Sequence, residues 1–331
     1  MSIQQIVFDD LGSVRVQSSD VPLRVLLPGE VSVAPLYLGI CSSDLHVLHG
    51  KHPWIKPPLV TGHEVVARVT ARAGDVQDFA EGDLVALNPL VSCGVCRRCQ
   101  QGLDNHCEQA RVIGFRLPGA GQTALNLHTR QLHRLPSSLA PQLASLMEPI
   151  AVGVHAAERS DDLDEVLIIG GGTIGLCLLM ALVVRGAGRI TVLEPVASKR
   201  AMAVRLGASV ALPPEQLDAA TRFTTVFDCV AAQPTLDMAS AATLGGGTLV
   251  VVGVPGHPLS LNLPRLQRFE IDIHGSGMYV GADLERAIAL VDSGRIDASA
   301  LISNIVELKD AAEGYRLAAQ PDSIKVLVRM Q

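Results

Sequence analysis

The chain has 331 residues, 48% hydrophobic and 18% charged, which is enough apolar material for a large core split over two domains and excludes a disordered protein. A formal net charge of −6 argues against a general attraction to nucleic acid or to anionic membranes and favours a small uncharged partner. The opening MSIQQIVFDD has neither a basic start nor an apolar run, and nowhere do about 18 apolar residues follow one another as a membrane span needs. The expectation is a cytosolic protein whose thiols stay reduced.

Up to about residue 150 the pattern is one of short strands broken by glycine, proline and aspartate. Within it, GICSSDLH at 39 to 46 and TGHEVV at 61 to 66 carry metal-ligating side chains, as does MEPIAVGVHA at 147 to 156. Cys41, His63 and either Glu64 or Glu148 offer one sulfur, one nitrogen and a carboxylate oxygen, a set suited to a zinc that keeps an open position. Spacing alone does not establish that they meet. Taken singly, Cys41 is equally a small buried residue, and His63 is more often a surface or core histidine than a ligand.

The stretch EVVARVTARAGDVQDFAEGDLVAL, residues 64 to 87, alternates small β-branched residues with turns at Gly74-Asp75 and Gly82-Asp83, and predicts an all-β, barrel-like domain. CGVCRRCQQGLDNHC, residues 93 to 107, then packs Cys93, Cys96, Cys99 and Cys107 into fifteen positions. In a reducing compartment such a cluster reads as metal or catalysis rather than disulfides. Four thiolates aimed at one centre make a closed tetrahedral zinc site that stabilises a fold and leaves no place for substrate. A thioredoxin-type pair would need a βαβ pattern around it, and a zinc module for DNA would need a following basic helix; neither is present.

The character changes at Glu165. EVLIIGGGTIGLCLLMALVVRGAGRITVLEP reads as an apolar strand, a glycine turn, a helix of about four turns and a second apolar strand, which is one βαβ unit. Further strands are predicted at 224 to 230, 247 to 255 and 269 to 276, the alternation that builds a doubly wound parallel sheet. Gly170, Gly172 and Gly175 hold the G-x-G-x-x-G positions, with Thr173 and Ile174 between them, and Glu194 ends the next strand nineteen residues after Gly175. The glycines let the backbone approach a pyrophosphate whose charge the helix N-terminus favours, and Glu194 is placed to bond the adenine ribose hydroxyls. A carboxylate there repels a 2′-phosphate, so NAD is preferred over NADP, although Lys199 and Arg200 stand close enough in sequence to pair with a phosphate. The last part contains a helix, ADLERAIALVDSG, and ends in the apolar strand SIKVLVRM. Cys177 and Cys229 read as core residues.

These motifs occur in one order that resembles the zinc-dependent medium-chain dehydrogenase/reductase family, which includes alcohol, sorbitol and threonine dehydrogenases. GICSSD, GHE, the four clustered cysteines and GGGTIG carry the likeness, which runs over essentially the whole chain. The resemblance implies an α/β protein with a β-rich GroES-like catalytic domain, residues 1–151 and 278–331, and a Rossmann NAD-binding domain, residues 152–277. It implies two zinc ions per chain: a structural one at the four cysteines, and a catalytic one at Cys41 and His63 with Glu64 or Glu148. Glu148 stands where polyol and threonine dehydrogenases carry glutamate and many simple alcohol dehydrogenases carry cysteine, which points to polyols and other polar secondary alcohols.

By the same resemblance Asp44 orients His63, Ser43 touches the substrate oxygen, and His46 passes the proton towards solvent. The implied reaction is hydride transfer between a secondary alcohol, such as a polyol, cyclitol, sugar derivative or amino alcohol, and NAD. An NADPH-dependent ketone or aldehyde reductase is disfavoured by Glu194, and a non-catalytic nucleotide-binding relative by the presence of Ser43 and His46. The loop HVLHGKHPWIKPP, 46 to 58, places His49, His52 and Trp54 where this family builds its substrate pocket. The implied partner is a small polar alcohol or ketone, with no nucleic acid and no membrane, and the implied assembly is a homodimer or homotetramer.

Overall fold

The computed structural model describes residues 2–331. Its contacts divide the chain into two units, Met1–Glu148 with Val280–Gln331, and Pro149–Tyr279. In the first unit a seven-stranded sheet runs in the order Leu132–Arg134, Leu84–Leu87, Glu64–Arg72, Glu30–Gly39, Lys325–Arg329, Ile302–Glu307, with Leu125–His128 also paired to Glu30–Gly39. Val14–Ser19, Ile3–Phe8 and Leu59–Val60 form a three-stranded sheet. Among the described residues the strand pairs of this unit are antiparallel except Ile302–Glu307 with Lys325–Arg329.

Glu30–Gly39 organises this sheet because it pairs along both edges. Val31 and Val33 point into the core, and the register against Glu64–Arg72 slips between Pro35 and Tyr37, where proline has no N–H for the ladder. After the slip the core-facing residue is Leu38, at an even position, and Gly39 comes to lie opposite Glu64. Ile6, Phe8, Val47, Val65, Val85, Val326 and Val328 complete the same buried cluster.

The second unit is a six-stranded sheet in the order Val210–Leu212, Arg189–Leu193, Glu165–Ile169, Phe223–Asp228, Thr243–Val251, Asp272–Gly275, every pair parallel. A sheet covered on both faces needs continuous apolar strands, and Val166, Leu167 and Ile168 are fully buried. The strand order reverses at Glu165–Ile169, and the crevice at the carboxyl end of such a strand is where doubly wound sheets hold ligands. The expected α/β class, an antiparallel β domain plus a parallel Rossmann sheet, is what the chain forms.

Two local readings differ. The apolar run at 269 to 276 is a strand only from Asp272, because Leu263–Phe269 is a helix capped by the Asn262 side chain and ended by Glu270 in a left-handed conformation, φ 52. The last part of the chain also holds a strand, Ile302–Glu307, and a helix, Ala311–Ala318, whose short polar-interrupted patterns give no clear period in the sequence. No helix among the described residues is long and apolar enough to cross a membrane.

Candidate functional site

Cys41 is the N-cap of the helix Ser42–Leu48, in extended conformation, and the third helical residue, Asp44, reaches back so that its Oδ2 accepts the Cys41 N–H at 3.1 Å. The other oxygen, Oδ1, accepts the Thr61 hydroxyl at 3.0 Å and lies 3.6 Å from His63 Nδ1. Thr61 in turn accepts from the Tyr315 hydroxyl at 3.4 Å. Asp44 is 1% exposed, and burial raises its carboxyl above the usual range, against the opposing pull of His63 and the Cys41 N–H. One carboxylate thus fixes both the helix start that carries Cys41 and the turn that carries His63. Burial pulls His63 down, but the Asp44 charge, the hydrogen bond and charge of Cys41, and Glu148 outweigh it and leave the imidazole well above its ordinary value. Its Nδ1 is buried without a hydrogen bond of its own, which suits a ring oriented by Asp44 and bound to a cation through the other nitrogen.

The ligand atoms of Cys41, His63 and Glu64 lie within 4.8 Å of one another. Ser43 Oγ donates to the Cys41 sulfur at 3.0 Å. Glu64 Oε2 fills the space a side chain on Gly39 would take, since a Cβ there would sit 2.2 Å from it. Both carboxylate oxygens accept from Lys325 Nζ, at 2.7 and 2.6 Å, and Lys325 also donates to the Ile40 carbonyl at 3.0 Å. Each partner's side chain is 1% exposed. Glu148 is buried and its charge acts on His63, but it stands outside the converging three. The donor set of sulfur, nitrogen and oxygen fits zinc.

Cys93, Cys96, Cys99 and Cys107 form the other cluster, all free thiols with sulfur atoms within 4.8 Å of one another. The Cys96 and Cys99 sulfurs are 3.5 Å apart and those of Cys93 and Cys99 3.9 Å. A tetrahedron of sulfurs about 2.3 Å from zinc has edges of about 3.8 Å. Backbone N–H groups of Val95 and Cys96 lower the Cys93 thiol to about 6, while burial and the Cys96 thiol push Cys99 up to about 11. Four such thiols ionise together only around a cation.

In the second unit the strand Glu165–Ile169 ends at Gly170, φ +101, and Gly172 caps the helix Thr173–Arg185, with Thr173 and Ile174 half-buried in its first turn. A Cβ on Gly175 would lie 1.8 Å from the Gly170 carbonyl, so only glycine lets the helix pack this close to the strand; a Cβ on Gly172 would meet nothing within 4 Å. The helix start therefore opens on free space, as a pyrophosphate requires. Glu194 is buried at the end of Arg189–Leu193, its oxygens accepting the N–H groups of Gly171 at 2.9 Å and Val196 at 2.8 Å. Arg200 donates to the carbonyls of Glu194 and Pro195, and Lys199 is half-buried beside it on the helix Ala197–Arg205.

His46, in the last turn of helix Ser42–Leu48, and His49 and Trp54, in the loop after it, are exposed, Trp54 to 70%. His52 stacks between the rings of Trp54, at 5.8 Å, and Phe115, at 5.2 Å, and Phe115 lies 5.0 Å from the His63 ring. Thr61, Tyr315, Phe115 and Lys325 were missed in the sequence. Lys325 alone had a signal there: a lysine inside an apolar strand must find a buried anion. Asp228 was also passed over; its Oδ1 accepts the N–H groups of Val230 and Ala231 at 2.9 Å and holds Ala231 at φ 55, in a loop whose Val230 methyl abuts Gly170.

Residues 27–137 match the family described as alcohol dehydrogenase GroES-like domain, and residues 173–293 match zinc-binding dehydrogenase. Over 313 residues the chain is 30% identical to 2-dehydro-3-deoxy-L-galactonate 5-dehydrogenase of Pseudoalteromonas atlantica, covering 91% of each chain. It is 28% identical to sorbitol dehydrogenase of Bacillus subtilis over 331 residues, 95% of this chain and 94% of that one. A solved structure described as a zinc-binding dehydrogenase from Sinorhizobium meliloti, bound to NADP, superposes with a TM-score of 0.90 at 27% identity, covering 99% of both chains.

Lys325→Met leaves Glu64 as a buried charge without its cation, and denaturant unfolding should show a loss of about 3–5 kcal/mol. Adding Glu64→Gln should restore part of that loss. Parental stability in the single variant would refute the buried pair.

Proposed function

Because the chain belongs to the zinc-containing medium-chain alcohol dehydrogenase family, we propose that it oxidises a secondary hydroxyl of a polyol, cyclitol or sugar derivative with NAD as hydride acceptor. Cys41 and His63 would hold one zinc, with Glu64 and Glu148 as the carboxylates at hand, and Cys93, Cys96, Cys99 and Cys107 a second. The observation that carries the reading is the convergence of the Cys41, His63 and Glu64 ligand atoms within 4.8 Å, beside the Ser43 hydroxyl 3.0 Å from the Cys41 sulfur. When bound, zinc would supply Lewis acidity that eases loss of the alcohol proton, and the nicotinamide would supply a two-electron acceptor.

The chain's own residues handle position and the proton. Asp44 holds Cys41 and His63 in one arrangement, and the Lys325 cation neutralises Glu64 beside them. Ser43 and His46 are three residues apart on one helix and so share a face. Desolvation, then Lys51 and His49, keep His46 below the ordinary histidine value of 6.5. Neutral imidazole is the form that accepts a proton, so His46 stays competent to a lower pH than an unperturbed histidine. In the second unit, Glu194 places a carboxylate where a 2′-phosphate would bring like charge, which supports NAD.

NADH formation by the zinc-replete protein across polyols, cyclitols and simple alcohols, with metal analysis of the same sample, tests the reading. About two zincs per chain and NAD reduction by a polar secondary alcohol support it; one zinc and no turnover with either nicotinamide cofactor overturn it. The rate of alcohol oxidation should fall on the acid side with a midpoint below 6.5, and His46→Gln should lower kcat by about a hundredfold and remove that limb; an unchanged profile takes His46 out of the proton path. Glu194→Gln keeps the side chain's size and removes its charge. The preference in kcat/KM for NAD over NADP should then drop about tenfold, and unchanged selectivity would free Glu194 of that role.

A further inference from the structure

Residues 45 to 60 contain His46, His49, Lys51, His52 and Lys56 and no aspartate or glutamate, in a chain with 33 acidic and 27 basic side chains. The loop starts at the helix that Cys41 caps, and its His52 is separated from His63 by the single ring of Phe115. Lys51, Lys56 and Arg116, the last following Phe115, are exposed. Elsewhere on this unit five surface arginines are paired, Arg15 with Asp9, Arg24 with Glu30, Arg134 with Asp83, Arg316 with Glu313 and Arg329 with Glu307, whereas Arg97, Arg98, Arg111 and Arg130 take part in no ion pair among the described residues. Lys51, Lys56 and Arg116 take part in no ion pair among the described residues. The charges that act on His46 are those of Lys51 and His49, and those that act on His52 are His46 and His63, all of them basic. An acidic protein has therefore gathered unpaired cations beside its candidate metal centre. The chain's single tryptophan, Trp54, adds an exposed indole, held edge-on against His52, as an apolar face for the C–H side of a polyhydroxylated chain.

We propose that this loop receives an anionic group, and that the substrate is a polyhydroxylated chain bearing a carboxylate or a phosphate ester, with Lys51 as the principal cation and Trp54 as the stacking surface. The inference rests on the dehydrogenase reading and narrows its substrate class: neutral polyols lack the group the loop attracts, and amino alcohols carry a charge it repels.

The test compares chain-matched hexonates, hexitol phosphates, hexitols and aminodeoxyhexitols as substrates with NAD, and follows the fluorescence of Trp54 as each is added. Expected is a kcat/KM for a carboxylate or phosphate at least tenfold above that for the matched hexitol. The advantage should shrink as salt rises and fall about tenfold in Lys51→Gln, as for a lost charge-assisted hydrogen bond. Which anion leads tells carboxylate from phosphate. Hexitols or aminodeoxyhexitols equal to or better than both anions would overturn the proposal while leaving the dehydrogenase reading intact. If nothing is oxidised, that reading fails, and the loop is judged by fluorescence alone: saturable quenching by the anions but not by hexitol supports it, and its absence overturns it.

Discussion

The Asp44 carboxylate binds in two directions: Oδ2 takes the Cys41 N–H, and Oδ1 takes the Thr61 hydroxyl while facing His63. Cys41 follows the strand Glu30–Gly39 and His63 precedes Glu64–Arg72, and the ladder that sets Gly39 opposite Glu64 brings the two segments together. Asp44 then ties the helix start at Cys41 to the turn at His63, outside that ladder. A carboxylate so deeply buried is expensive to keep charged, and the donors around it, with Tyr315 behind Thr61, are what hold it in one orientation. The fixed separation of sulfur and imidazole follows from that arrangement.

A second buried charge sits beside the first, and the backbone makes room for it. The slip at Pro35 brings Gly39 opposite Glu64, the missing side chain of Gly39 admits the carboxylate, and Lys325 reaches in from the next strand to neutralise it. Outside this buried set the local charge is positive, although the chain as a whole carries −6. An overall balance describes solubility and long-range attraction. Within a Debye length of about 8–10 Å a ligand feels nearby charges more than remote ones, so the overall balance does not set the field beside His52 and His63.

Much of this was legible in the residues. The parallel sheet announced itself through continuous apolar strands and a glycine turn, and the four cysteines through spacing, because both signals are local. Cys41, His63 and Glu64 were nameable from their segments, whereas their meeting depends on the sheet register and could not be read from spacing. Thr61 and Tyr315 were invisible for the same reason: a threonine and a tyrosine carry no pattern until a partner distant in sequence faces them, and Lys325 signals only that some buried anion must meet it. Phe269 was read as strand because one apolar residue at the end of a helix looks the same as one at the start of a strand, and only the Asn262 cap and the left-handed Glu270 separate the two.

Glu64 and Lys325 are 261 residues apart, and all of Pro149–Tyr279 is encoded between them. During synthesis all of the parallel-sheet unit is therefore made before Lys325–Arg329, the strand that pairs with one edge of the central Glu30–Gly39. Until then Glu64 lacks the cation that pairs with it in the folded chain, and the edge of Glu30–Gly39 that Lys325–Arg329 covers has no partner there. The order of translation therefore sets an interval in which Cys41, His63 and Glu64 have been made and the cation that neutralises Glu64 has not.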